Sequence, residues 1–166
     1  QMRTMESRKP PIRVLCPGRV YRKDDIDPRH SPVFHQMEGL VVDEGITFAH
    51  LRGTLAAFAK SFFGGRAEVR LAPTFFPFVE PGVDCAVSCA FCEKGCRICS
   101  FSGWIEIMGA VMGHPNVLTA AGIDPERYTG FAFGMGIDRI AMLLHGIPDL
   151  RLLFENDVRF LDRTWI

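Results

Sequence analysis

Several groups of residues in this sequence have types and spacings that could do chemistry. The first is Gly130-Phe-Ala-Phe-Gly-Met-Gly-Ile-Asp-Arg139, an apolar run broken by glycines and followed by a helix-patterned segment. Gly134 and Gly136 would let backbone lie close to a flat ligand. Arg139 falls about one turn into the helix, where its planar fork can grip a phosphate. The spacing G-x3-G-x-G is not the dinucleotide fingerprint, and no acidic residue about 20 positions on completes one. A second group is Phe34, Gln36 and Glu38. They are two apart in an extended segment and so share one face, with His35, Met37 and Gly39 on the other. Such a face is either solvated, as one side of an antiparallel sheet often is, or lines a site. In a site, Gln36 and Glu38 would bind a cationic or amide-bearing group. Phe76 and Phe78 also point the same way if extended, either as a core pair or as two rings flanking an aromatic guest. Glu106 shares its face with Trp104, Met108 and Ala110 by the same period, and a carboxylate beside a small residue can serve as a magnesium ligand.

The cysteines form a further group. Five of the six lie between Cys85 and Cys99, spaced C-x3-C-x2-C-x3-C-x2-C. Cys89/Cys92 and Cys96/Cys99 are two C-x2-C bites separated by Glu-Lys-Gly, and Gly95 permits a reversal between them. That pattern suits one tetrahedral zinc. Two other readings stay open: a cluster of thiols without metal, and an iron–sulfur triad at Cys85, Cys89 and Cys92 of the radical-SAM spacing. Against the triad, 166 residues are too few for the barrel of those enzymes.

These residues need elements to hold them. Residues 1–11 are polar and basic, end in Pro10-Pro11 and read as an extended lead-in. Residues 12–22 read as a strand with a kink at Pro17-Gly18, residues 33–43 as a second strand, and the charged segment 23–32 as their loop. Loops of that length are usually functional or mobile. Residues 48–63 repeat apolar positions at helical spacing and stop at Gly64-Gly65; His50 and the phenylalanines there read as core and boundary residues. Strands are expected at 66–72, 104–112 and 130–135, helices at 116–121 and 137–145, and a short helix with a final apolar run over 149–161. The sum is an α+β fold, an antiparallel sheet backed by helices. Its open face would carry Arg22, Gln36, Glu38, Glu106 and Arg139, which suits a polyanion, magnesium and an aromatic amine.

Composition sets outer limits. The chain suits one domain, 1–166. Hydrophobic residues make up 48% and charged residues 23%, a soluble globular balance. Nineteen basic residues equal nineteen acidic ones, so nucleic-acid contact would have to be local or supplied by a partner. No apolar run is long enough for a membrane span and no signal peptide opens the chain, so a cytoplasmic protein without membrane contact is expected. The sequence opens on Gln1 rather than Met, as expected of a piece or a processed form.

Taken together, the motifs resemble those of the catalytic domain of bacterial phenylalanyl-tRNA synthetase alpha subunits, within the class II aminoacyl-tRNA synthetases. The resemblance runs through nearly all of the sequence. It rests on Gly18-Arg-Val-Tyr-Arg22 with the loop to His30, and on Phe34-His-Gln-Met-Glu-Gly39, both similar to motif 2. It rests equally on Phe76-Pro-Phe-Val-Glu-Pro81, on the Gly130–Arg139 stretch, similar to motif 3, and on Phe154-Glu-Asn-Asp157. It implies ATP-dependent activation of L-phenylalanine to the adenylate and transfer to the 3′-terminal adenosine of tRNA(Phe), with a beta subunit as partner in a heterotetramer. It implies that Arg22 binds the α-phosphate, Arg139 the far end of the triphosphate, with His30 and Asp24 in the ATP site and Phe34 stacked on adenine. Gln36 and Glu38 would hold the substrate amino group. Phe76, Phe78 and Val79 would embrace the ring, over a floor of Ala110 and Ala132. Glu80 and Glu106 would be the Mg2+ ligands. The sequence departs from the family in lacking motif 1 and the N-terminal arm, in placing Asp24 where the class pattern has Glu, and in its five-cysteine segment, which reads as a Cys-rich insertion over 85–103 that only some bacterial members carry; by their spacing Cys89, Cys92, Cys96 and Cys99 would hold a structural Zn2+ there. Two rival functions are a non-catalytic synthetase-like regulatory protein and a metal-binding module.

Overall fold

The strands form where apolar and polar residues alternate. They are β1 (Ile12–Tyr21), β2 (Val33–Glu44), β3 (Val69–Thr74), β4 (Val79–Ser88), β5 (Trp104–Gly113) and β6 (Tyr128–Gly136). The computed structural model describes the chain except residues 29, 76–78, 90–91, 93–94, 97–98 and 163–166, and describes 79 and 80 by backbone alone. The strands make one six-stranded sheet in the order β1-β2-β6-β5-β4-β3, and β3–β4, β4–β5 and β5–β6 pair antiparallel. The helices are α1 (Met2–Ser7), α2 (Phe48–Phe63), α3 (Pro115–Ala120), α4 (Ile137–His145) and α5 (Val158–Leu161), with a 3-10 turn at Leu150–Leu153. This is the expected α+β architecture. No helix among the described residues is long and apolar enough to cross a membrane.

Pro17 in β1 and Pro73 in β3 are tolerated because both strands are sheet edges, where a proline need not donate to a neighbour. Pro81 lies inside β4, between Val79 and Gly82, where the pairing to β5 shifts register. That irregularity accommodates the proline, and β4 runs on to Ser88 as a strand the sequence pattern did not isolate. The lead-in expected to be extended is instead α1, because Met5 is drawn into the core at 4% exposure. His50 is also corrected. It is exposed, and its Nδ1 accepts from the Thr47 N–H at 3.0 Å, capping α2.

By its internal contacts the chain divides into two compact units. One comprises Gln1–Cys16 and Glu38–Met135; the other comprises Pro17–Met37 and Gly136–Ile166. In the first unit each side of the sheet is covered. On one side Met5 and Ile12 join Leu40, Val42 and Leu118, and Ala132 packs against that cluster. On the other, α2 sinks Leu51 and Leu55 out of solvent and packs on β3 and β5. Each leucine so buried stabilises by about 1.5–3 kcal/mol. Two glycines are required by close approach. A Cβ on Gly39 would lie 2.2 Å from the Phe133 ring, and one on Gly130 would lie 2.4 Å from the Val41 carbonyl oxygen.

One residue in β5 sets which side its neighbours face. Ala86 pairs with Glu106, but the next residue, Cys85, pairs with Met108. Ile107 is therefore extra, a bulge that flips the alternation. Ile105 and Ile107 are buried, and so are Met108 and Ala110, while Glu106 is exposed. The expectation that Glu106 shares a face with Met108 and Ala110 fails for this reason. Beyond the bulge, Ala110 pairs with Phe133 and Val111 with Ala132. Paired residues share a face and successive residues do not, so Ala110 and Ala132 point to opposite sides. Ala110 is fully buried on the α2 side and cannot floor the same pocket as Ala132. Glu106, thrown across by the bulge, lies on the Ala132 side.

In the second unit Ile140, Ile147 and Leu150 are buried, and α4 ends at Gly146 in the left-handed conformation (φ 62°). The Leu150 N–H donates to the Pro28 carbonyl at 2.9 Å. The charged loop after β1 is thereby tied to the turn after α4.

Candidate active site

The second unit carries the arginines. Its loop is closed at the base by the Arg22 N–H donating to the Pro32 carbonyl at 2.9 Å. From there the Arg22 side chain crosses to β2. Its guanidinium sits 4.9 Å from the centroid of the Phe34 ring, and one of its nitrogens donates to Gln36 Oε1 at 3.3 Å. A guanidinium over a ring gains about 0.5–1 kcal/mol at an exposed site. The alternation of β2 thus puts Phe34 and Gln36 on one face, as their spacing predicts, and Arg22 is laid along that face. Its unused N–H donors remain available to an anion.

The other face of β2 anchors the helix that carries Arg139. The backbone N–H of His35 donates to Asp138, and His35 Nδ1 lies 3.1 Å from the second oxygen of that carboxylate. The His35 ring also stacks on Phe154, 6.5 Å apart and 5° from parallel. Asp138 stands in the first turn of α4, where the helix dipole favours an anion. Arg139 is the next residue, so its backbone is fixed relative to the strand bearing Phe34 and Gln36. The sequence did not single out His35, Asp138 or the role of Phe154. A Cβ on Gly136 would meet only the Arg139 Cβ, at 3.8 Å.

In the loop, His30 pairs locally. Its backbone N–H donates to Asp27 Oδ1 at 2.7 Å and its Nδ1 lies 2.9 Å from Oδ2. Asp24 is exposed in the same loop.

The first unit carries the acidic and apolar candidates. Glu38 lies in β2, and its Oε2 accepts from the Gln1 side-chain amide at 2.6 Å. Gln1 is a polar partner that no spacing or motif singles out. Ala132 and Glu106 lie on one side of the sheet, and Ala110 lies on the other. Glu106 is an exposed carboxylate, a hard oxygen donor of the kind that Mg2+ takes. Phe76 and Phe78 lie outside the described residues, as do the side chains of Val79 and Glu80.

Cys89, Cys92, Cys96 and Cys99 come together beyond the ends of β4 and β5, their sulfurs all within 4.8 Å of one another. Cys85 does not join them. It sits in β4 between Leu71 and Met108, fully buried, and burial pushes its thiol up to about 11.

Residues 1–164 match the family model of the tRNA synthetase class II core domain (F). The chain is 67% identical over 164 residues to the phenylalanine--tRNA ligase alpha subunit of Caldanaerobacter subterraneus subsp. tengcongensis, covering 98% of this chain and 48% of that protein. It is 60% identical over 162 residues to the protein of the same name from Acetivibrio thermocellus, covering 97% and 48%. The alpha subunit from Ectopseudomonas mendocina is 59% identical over 162 residues, with the same coverage. A pyrrolysyl tRNA synthetase of Desulfitobacterium hafniense shares the fold, with a TM-score of 0.58 at 18% identity over 90% of this chain and 48% of that one. The chain therefore belongs to the class II tRNA synthetase core-domain family. It spans about half the length of the curated relatives it matches.

Proposed function

We propose that this chain is the catalytic core of a phenylalanine--tRNA ligase alpha subunit, activating L-phenylalanine with ATP and passing it to the 3′-terminal adenosine of tRNA(Phe). The observation that carries the reading is the set of Arg22, Phe34 and Gln36 on one face of β2, an anion-binding fork laid beside an aromatic ring and an amide. The names of its relatives supply the amino acid. The substrate carboxylate is already ionised at neutral pH, so the first step needs no general base. It attacks the α-phosphorus of ATP, the bond to the bridging oxygen breaks, and pyrophosphate leaves with the electron pair. Arg22 holds the α-phosphate and Arg139 the far end of the triphosphate, with His30 and Asp24 flanking it, so catalysis is positioning and charge stabilisation. Phe34 stacks on adenine in the place the Arg22 guanidinium shares with it. Gln36 and Glu38 take the substrate ammonium, with Glu38 exchanging the Gln1 amide for it. Phe76, Phe78 and Val79 surround the ring, and Ala132 meets its far edge. Glu106, with Glu80, would hold Mg2+, which neutralises phosphate charge when bound. A beta subunit completes the working enzyme, which acts in the cytoplasm.

Exchange of labelled pyrophosphate into ATP, dependent on phenylalanine and measured on the full-length chain assembled with its beta partner, tests the assignment. Exchange driven by another amino acid in place of phenylalanine, or none at all, would overturn it. A specificity test separates the two alanines. Ala132→Gly enlarges the pocket by one methyl, and such pockets discriminate by about 1–3 kcal/mol per group. This variant is expected to accept para-chlorophenylalanine, and tyrosine less readily because its hydroxyl lacks a partner. Ala110→Gly, on the far side of the sheet, is expected to leave the para-chloro discrimination unchanged. Equal relaxation in both variants would contradict the facing assigned to them.

A further inference from the structure

We infer that Cys89, Cys92, Cys96 and Cys99 hold one zinc ion that closes the β4–β5 hairpin. The sulfur spacing is the first ground. Zinc bound to thiolates at about 2.3 Å in a tetrahedron sets its sulfurs about 3.8 Å apart. Here Cys89 and Cys96 are 3.8 Å apart, Cys92 and Cys99 3.6 Å, and Cys96 and Cys99 3.8 Å. No disulfide joins cysteines among the described residues. Each C-x2-C pair contributes two corners, and the pairs interlock, with the contacts at 3.8 and 3.6 Å running from one pair to the other.

The backbone around the sulfurs is the second ground. The Cys96 N–H donates to Cys99 Sγ at 3.1 Å and the Gly103 N–H donates to the same sulfur at 3.3 Å. Amide donors on a thiolate orient it and spread its charge, the usual support around a metal centre. Gly95, between the pairs, has φ 104°, and a Cβ there would lie 2.6 Å from the Phe101 carbonyl oxygen. Only glycine makes that reversal. The Cys89 N–H donates to the Gly103 carbonyl at 2.8 Å, which shuts the turn at the first rung of the hairpin. Thiolate ligands are soft and select zinc or iron. A multi-iron cluster spreads its cysteines over separate irons and so sets them wider apart than the ligands of one ion. The buried place of Cys85 in β4 removes the triad that would have suited iron–sulfur chemistry.

The centre does a mechanical task. Among the described residues of the segment it ties, Phe101 is exposed, and binding free energy of a structural zinc is available directly as folding free energy. The rungs next to it are Ser88–Trp104, Val87–Ile105 and Ala86–Glu106, the last one before the Ile107 bulge. The ion therefore fixes the register that delivers Glu106.

Elemental analysis of the full-length protein after gel filtration is expected to give one equivalent of zinc. Cys92→Ser and Cys96→Ser should each lose it and Cys85→Ser should keep it. Should the serine variants fail to fold, thiol titration of the native protein answers the same question. Chelation is expected to release the ion and expose four further reactive thiols, and hydrogen exchange should rise at 88–104 while the amides of β6 stay protected. Iron in place of zinc, a metal that depends on Cys85, or wild-type protein with no bound metal and no change on chelation would each overturn the inference.

Discussion

Replacing Arg139 by alanine is expected to slow phenylalanine-dependent pyrophosphate exchange by two to three orders of magnitude, a loss of about 3–4 kcal/mol of transition-state binding. The size follows from what the residue is asked to do. On the proposed assignment charge accumulates on the departing pyrophosphate beside Arg139, whose backbone is held because the start of α4 is tied to β2 through Asp138 and His35. Those ties do not involve the Arg139 side chain, so the variant should keep the start of α4 in place. The effect should fall on kcat more than on KM for phenylalanine, since the amino acid is held by other residues. Wild-type exchange in Arg139→Ala would remove the residue from the mechanism and weaken the whole assignment.

Arg22→Ala is expected to cost as much, for a partly different reason. On the proposed assignment Arg22 supplies charge at the α-phosphate, and it also occupies the Phe34 ring face and the Gln36 oxygen. Its removal leaves the nucleotide without its fork and the ring without its stacking partner. Arg22→Lys separates the two contributions. Lysine restores a point charge but neither the paired hydrogen bonds nor the flat stacking surface. The lysine variant should therefore recover a small part of the lost rate, on the order of tenfold, with a raised KM for ATP. Full recovery by lysine would mean that charge alone matters and that the geometry over Phe34 is incidental. Single-turnover measurements on the assembled enzyme distinguish these results from slow product release.

Much of this arrangement is legible in the order of the residues. A period of two puts Phe34 and Gln36 on one face, and Arg22 is found along it. Apolar spacing locates α2 and α4, and α4 runs over 137–145 as expected. What escapes such reading does so for physical reasons. The bond between Gln1 and Glu38 spans 37 positions and that between His35 and Asp138 spans 103; hydrogen bonds so remote leave no periodic trace. α1 is six residues long and mostly polar, so its one buried methionine could not announce a helix. Pro81 hides β4, because a proline argues against a central strand until a register shift makes room for it. The cysteine spacing picks out the four thiols that come together, yet only the burial of Cys85 separates them from the fifth.

The bulge at Ile107 has a bearing on how this hairpin tolerates change in length. A sheet has two sides, so each strand works as a two-phase counter, and Ile107 advances the count by one between Glu106 and Met108. Insertions or deletions in the turn beyond Ser88 and Trp104 leave that count alone, which is where a segment of variable length can be accommodated. Deleting Ile107 would only straighten the strand, since Glu106 would keep Ala86 as its partner; a slip of one position that paired Ile107 with Ala86 would instead reset the parity of everything on its N-terminal side. Glu106 would be carried under α2, into apolar packing, and an isoleucine would stand in the open. Sequence comparison that slides a gap through this stretch therefore misplaces an acid across the thickness of the sheet, although it shifts it by only one position along the chain.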